Sequence, residues 1–149
     1  MTRVAIAVPV LALVWAGVTI GGSLIAAPAK FAAPSLDLRM ALEVGHEQFF
    51  WIWIAERVLC AVLIGALVFR PPAARWWLAA PILVFALQQL FVVPLLDART
   101  VRIITGETVP DSRLHLVFAV LEFVKVAALV AAGIVALRTG SSPPSGRAS

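Results

Sequence analysis

Charge is what this chain has least of. Only 13% of its 149 residues are charged and 62% are hydrophobic, whereas a soluble domain is roughly half apolar and about a quarter charged. That scarcity argues against an ordinary water-soluble fold and leaves a membrane-embedded domain as the natural class. Cysteine is almost missing too. Cys60 stands alone inside an apolar run, so no intramolecular disulfide can form and no paired-cysteine metal motif exists. Histidine occurs twice, at His46 and His115, in no metal-binding spacing. No nucleophile–base set, phosphate loop or zinc motif is present, which points to a non-catalytic protein rather than a hydrolase or ATPase. The formal charge is +4, yet the basic residues form no nucleic-acid-binding motif, so nucleic acid is not an expected partner.

What the chain does have is long apolar sequence. Four runs stand out, at residues 4–27, 49–69, 76–96 and 114–137. Each is about 20 residues or slightly more, enough to cross a hydrocarbon core of about 30 Å as a helix. Backbone polar groups in lipid must be satisfied internally, which favours helices over any open sheet. The expected fold is therefore all-α: an integral membrane four-helix bundle over residues 1–138, followed by a Ser-, Pro- and Gly-rich disordered tail at 139–149. Arg3 and Ala27-Pro28-Ala29 resemble the ends of a signal peptide. However, a signal core spans only about 7–15 residues, and the first run is longer, so an uncleaved helix is expected. Its Gly17-x-x-x-Gly21 spacing lets two helices approach closely, within one chain or between two copies in a homo-oligomer.

Orientation follows from the loops. Arg3, Arg70, Arg75, Arg138 and Arg147 lie on one side with no acidic residue, whereas the other side carries Asp37, Glu43, Glu47, Asp97, Glu107 and Asp111 among its basic residues. Counts of Lys and Arg tie, so the acid-free side is taken as cytoplasmic. Both termini are then inside, and the expected location is a bacterial inner membrane with the lipid bilayer as the main partner. The first outer loop contains Pro34 to Gly45, where Ser35 can cap a short interfacial helix and Gly45 can end it. That helix is either a lid or a connector packed on the bundle. Trp51, Trp53, Trp76 and Trp77 lie near the expected helix ends, where an aromatic belt accounts for most of them.

The informative residues are polar ones at one depth. Glu56 and Arg57 in the second run, Gln88 and Gln89 in the third, and Glu122 and Lys125 in the fourth all lie roughly 12 Å below the outer surface, counting about 1.5 Å per residue. Thr19 of the first run is level with them. His115 and Glu122 share a helix face, and Lys125 follows Glu122 by three residues, close enough for an ion pair. Glu56, Arg57, Glu122 and Lys125 sum to zero charge, which suggests pairing between helices, for example Arg57 with Glu122. An ionisable group inside a membrane is a functional-site hypothesis by default. Glu56, Arg57, Gln88, Gln89, His115, Glu122 and Lys125 are thus the candidate ligand-binding residues. The competing structural account is a sealed network that fixes helix register. His46 and His115, at outer helix starts, are weak candidates to hold a haem or metal between them. A faint repeat also shows: Pro28 and Pro94 near the ends of the first and third runs, each followed by Asp-x-Arg (Asp37, Arg39; Asp97, Arg99).

Several of these stretches resemble a known group. Trp15-Ala16-Gly17, Ala27-Pro28-Ala29-Lys30-Phe31, Ala33-Pro34-Ser35-Leu36, Val93-Pro94-Leu95-Leu96-Asp97-Ala98-Arg99, and Leu114-His115 with Glu122 and Lys125 resemble small bacterial four-helix membrane proteins. These are similar to the copper-resistance CopD-like, TMEM205-like (domain of unknown function 4149, DUF4149) and haem-associated HemJ-like proteins. The resemblance runs to about Leu137 and implies a four-helix bundle; some members of the group are associated with copper or haem. The chain lacks a Met- or His-rich copper set, so copper and porphyrin chemistry do not carry over. The leading expectation is a multi-pass membrane protein that binds or moves a small amphipathic or ionic ligand through the polar layer. The alternatives are a membrane redox protein using haem or quinone, and an accessory subunit whose polar layer docks a partner helix.

Overall fold

The structure, a computed structural model, describes residues 3–69 and 75–140. Residues 70–74 and 141–149, which enter the arguments on orientation and disorder, lie outside the described residues, and Thr139 and Gly140, the first two residues of the expected tail, belong to the last helix. The described residues are helical with short connections and contain no strand. They form four long rods, each long and apolar enough to cross a membrane. The first rod is α1 (Arg3–Thr19), a wide-turned π segment (Ile20–Ala26), α2 (Ala27–Ala29) and a 3-10 turn (Lys30–Ala32). The second is one helix, α3 (Leu38–Phe69). The third is α4 (Arg75–Leu87), a further π segment (Gln88–Val92) and α5 (Val93–Ile104). The fourth is α6 (Leu114–Gly140). In packing, α1 lies on α6 and α3, α4 on α6, and α5 on α3.

The separate helix expected over Pro34–Gly45 is not there. α3 begins at Leu38 and runs through Gly45 without a break. Its cap is Asp37 rather than Ser35: Asp37 Oδ1 accepts the Met40 N–H at 2.8 Å, which satisfies a backbone donor of the first turn. Gly45 ends nothing. It is bare because the Lys30 side chain lies across it, and a Cβ there would overlap that side chain. The first connection therefore shrinks to residues 33–37, and the early turns of α3 become a wall of the bundle. The second connection is also shorter than expected, because α5 extends to Ile104 before Gly106, at a φ of 90°, turns the chain. That positive φ is one glycine adopts without steric penalty. Ser112 Oγ then accepts the Leu114 N–H at 3.1 Å to start α6.

Both π segments stop just short of a proline. The Ala27 N–H reaches back five residues to the Gly22 carbonyl, and Pro28 follows. The Val93 N–H reaches the Gln88 carbonyl, and Pro94 follows. Proline has no N–H, and its ring collides with the carbonyl four residues back in an α-helix. A wider turn ahead of it relieves that collision. The faint repeat in the sequence thus has a backbone counterpart. Gly22 has a further duty, since a Cβ there would overlap Ile52 of α3.

Two apolar clusters fill the bundle. The larger joins Val8, Ala12, Trp15, Ala16, Cys60, Leu63, Leu78, Phe85, Leu129 and Ala132. The smaller joins Trp53, Val93, Leu96 and Phe118 at the other end. In the second, third and fourth rods the polar residues of the middle layer lie between them, while the first rod contributes only to the larger cluster.

Candidate functional site

The layer is a single network that touches all four rods. Glu56 Oε1 is its hub. It accepts the Thr19 hydroxyl at 2.5 Å, the Trp15 Nε1–H at 3.2 Å and the Lys125 ammonium at 2.7 Å. Lys125 also donates to Glu122 Oε1 at 2.9 Å, and Gln88 Nε2 donates to the same oxygen at 2.9 Å. Glu56 and Glu122 are 1% exposed and Lys125 is 0% exposed, so these hydrogen bonds are made to one another rather than to solvent. Lys125 Nζ also sits 5.4 Å from the centre of the Phe85 ring, within range of a cation–π attraction. Two carboxyls share this one ammonium, so the cluster either holds one extra proton or carries one net negative charge.

The expected residues separate into three groups. Glu56, Gln88, Glu122 and Lys125 come together inside, and Thr19 joins them at the level expected. Arg57 and Gln89 do not. Each is the next residue along its helix, about 100° round, and together they form a separate pair outside the bundle, Arg57 Nε to Gln89 Oε1 at 2.9 Å. The Arg57–Glu122 pair suggested by charge balance is thereby replaced: Glu122 is held by Lys125 and Gln88. His115 is apart from the network and exposed, at the mouth of a cavity.

That cavity, of about 350 Å³, lies beside the smaller apolar cluster. Phe49, Leu96, Phe118 and Phe123 give it apolar walls, and Lys30, His46, Asp97 and His115 are among its polar lining. Phe49 stacks on Trp53 at 5.7 Å and meets Phe118 edge-on at 5.7 Å, so the wall is a rigid aromatic surface. His46 Nε2 lies 2.9 Å from Asp97 Oδ1 and ties α3 to α5 at the rim. Lys30 reaches across Gly45 and sits 5.3 Å from the centre of the Phe49 ring. The lining also includes Ser23, Trp53 and Glu122. Among the described residues, four buried side-chain polar atoms lack a hydrogen-bond partner: Ser23 Oγ, Trp53 Nε1, Gln88 Oε1 and Glu122 Oε2. Three of the four belong to residues that line the cavity. An unpartnered buried polar group costs about 1–3 kcal/mol, so their concentration here is informative.

Ser23, Trp53 and Trp15 are not among the site residues expected from the sequence. An aromatic-belt role for Trp53 presumes a second helix that begins near residue 49; with α3 starting at Leu38, Trp53 is four turns in and buried. Trp51, Trp76 and Trp77 do lie exposed. A signal for the other two is present: Trp15, Thr19 and Ser23 recur every four residues, on one helical face. His46 and His115 both line the cavity, with His46 engaged by Asp97. Among the described residues no three of His, Cys, Asp and Glu gather closely enough to hold a metal ion. A Cβ at Gly17 or Gly21 would meet open space among the described residues. Comparison with protein-family models, curated proteins and solved structures finds no match.

Proposed function

We propose that the chain is a multi-pass protein of a bacterial inner membrane, with both termini cytoplasmic, that binds or moves a small amphipathic ligand in the cavity beside Glu122. The four apolar rods support the membrane reading. The kinship with the CopD-like and TMEM205-like (DUF4149) group is proposed on the same footing, from the motifs quoted above.

One observation carries the ligand reading. An aromatic-walled cavity meets the buried charge network at Glu122, and three unpartnered polar atoms belong to its lining. Small-molecule sites combine mostly apolar walls with a few polar groups that fix orientation. Glu122 Oε2 would receive a hydrogen-bond donor or cationic group, and Trp53 Nε1–H would donate to an acceptor. Ser23 can do either. The apolar body would lie along Phe49 and Phe118. The network behind the site holds Glu122 in place through Lys125 and Gln88, which gives the charge layer a positioning role.

The test is to purify the protein in lipid nanodiscs, extract it with organic solvent and identify retained small molecules by mass spectrometry. Wild type should retain a specific amphipathic compound. Ala119→Trp, which fills the cavity, and Glu122→Gln, which keeps the side chain's shape, should lose it while remaining folded by circular dichroism. Identical extracts from all three proteins would overturn the reading. A Soret band that disappears in His115→Ala would replace it with a haem protein.

A further inference from the structure

Arg57 has no place in that site. It is exposed on the outside of α3, bonded through Nε to Gln89. Between Glu47 and Phe69, α3 carries only two charged residues, Glu56 and Arg57, and Glu56 is buried. The rest of the neighbouring exterior is apolar: Phe50, Val58 and Val62 on α3, Leu87 and Leu90 on the third rod. Arg57 lies ten residues after Glu47 and twelve before Phe69, roughly 15 and 18 Å along the axis. If the rods cross a bilayer, a guanidinium faces hydrocarbon near the middle of the membrane.

Such an arrangement is costly unless something covers it. Arginine near a helix end can snorkel to the interface, but one at the centre pairs inside protein or faces a polar cavity. Gln89 takes only the Nε edge, leaving the forked end of the guanidinium, the part that meets a carboxylate in two parallel hydrogen bonds. Ala61 and Gly65 follow Arg57 at four-residue spacing, so the three share one face. Ala61 is exposed, and a Cβ at Gly65 would meet open space. A lane of small residues beside the charge lets another backbone come close.

We infer that this face docks a transmembrane helix of another protein that carries a carboxylate near its midpoint. The inference rests on the proposal that the four rods cross a bilayer. A second copy of this chain does not fit. The chain has eight acidic residues. Glu56 and Glu122 are buried. Glu47 is the nearest on α3, and Asp37, Glu43, Asp97, Glu107 and Asp111 lie with it at the end of the rods where α3 begins, away from Arg57. Lipid phosphates lie at the surface, out of reach of a midplane side chain. A foreign helix with an intramembrane Asp or Glu supplies the missing charge at the right depth.

The experiment uses the full chain in vesicles and a dye-labelled synthetic Leu/Ala helix of about 20 residues with one central Glu. Control peptides carry Gln or Leu at that position, and energy transfer from labelled protein reports association. The Glu peptide should bind about tenfold more tightly than the Leu peptide. Arg57→Leu should abolish the preference, Arg57→Lys should keep part of it, and Gly65→Ile should weaken it. Equal binding of the peptides, or an unchanged preference in Arg57→Leu, overturns the inference while leaving the cavity proposal intact. A dimer of the wild-type chain that dissociates in Arg57→Leu also overturns it, by making a second copy the occupant. Release of the protein by alkaline carbonate would overturn the membrane reading, and this inference with it.

Discussion

Two pairs of neighbouring residues meet opposite fates in this molecule. Glu56 and Gln88 turn inward and join a buried network; Arg57 and Gln89, one residue further along the same helices, turn outward and bond to each other. Glu56 has three partners and Gln88 one, and both have almost no exposure. The outer pair has one hydrogen bond and an open flank. Charge in an apolar setting is thus handled here in two ways, by a shared buried network inside, with Gln88 Oε1 and Glu122 Oε2 left unpaired, and by an exposed two-residue pair outside. The inner arrangement is suited to holding helices and side chains in position, and the outer one has the character of half an interface.

Mutations can widen or erase that contrast. The largest effect is expected from Lys125→Met, which leaves Glu56 and Glu122 facing each other without their shared cation. Removing one partner of a buried ion pair costs about 3–5 kcal/mol, and detergent-titration unfolding should show a loss of that size, reduced when Glu56→Gln is added. Gln88→Leu should cost less, about 1–2 kcal/mol, because Glu122 keeps Lys125. Arg57→Leu should change unfolding stability by under about 1 kcal/mol. In a glycosylation-reporter assay, however, the same change should favour insertion of the second span by about 3 kcal/mol, since a central arginine is penalised by roughly that amount. Smallest of all, Gln89→Leu should cost about 0.6 kcal/mol, the average for a hydrogen bond between membrane helices. If Lys125→Met and Arg57→Leu destabilise the fold equally, the distinction between inner and outer polar groups fails.

Much of this was legible in the sequence because membrane-like chains advertise their exceptions. Four apolar runs stood out by length. Glu56, Gln88, Glu122 and Lys125 stood out because ionisable and amide groups are rare in such runs, and a shared depth suggested contact. Which of two adjacent polar residues turns inward was not legible, because these helices are apolar nearly all round and no amphipathic stripe marks the core side. Glu56 and Arg57 were separable only in three dimensions. The cavity was missed for a related reason. Its walls are Phe49, Trp53 and Phe118, ordinary residues of a greasy helix, and its position depends on α3 beginning eleven residues before the apolar run. The start of α3 was misplaced because Ser35, two residues before Asp37, is also of a type that caps helices. The π segments left only a faint trace, the prolines that follow them.

Those wide turns have a consequence for how the chain can change length. A π segment holds one residue more than the α-helix needs for the same rise and rotation. Losing a residue within Gln88–Val92 would tighten the turn and leave α4 and α5 in phase. The same deletion in α3, between Trp53 and Glu56, would rotate one half of that helix against the other by about 100° and take Glu56 out of the network. Related chains that differ by a single residue should therefore carry the gap in the first or third rod, where the backbone has slack to absorb it.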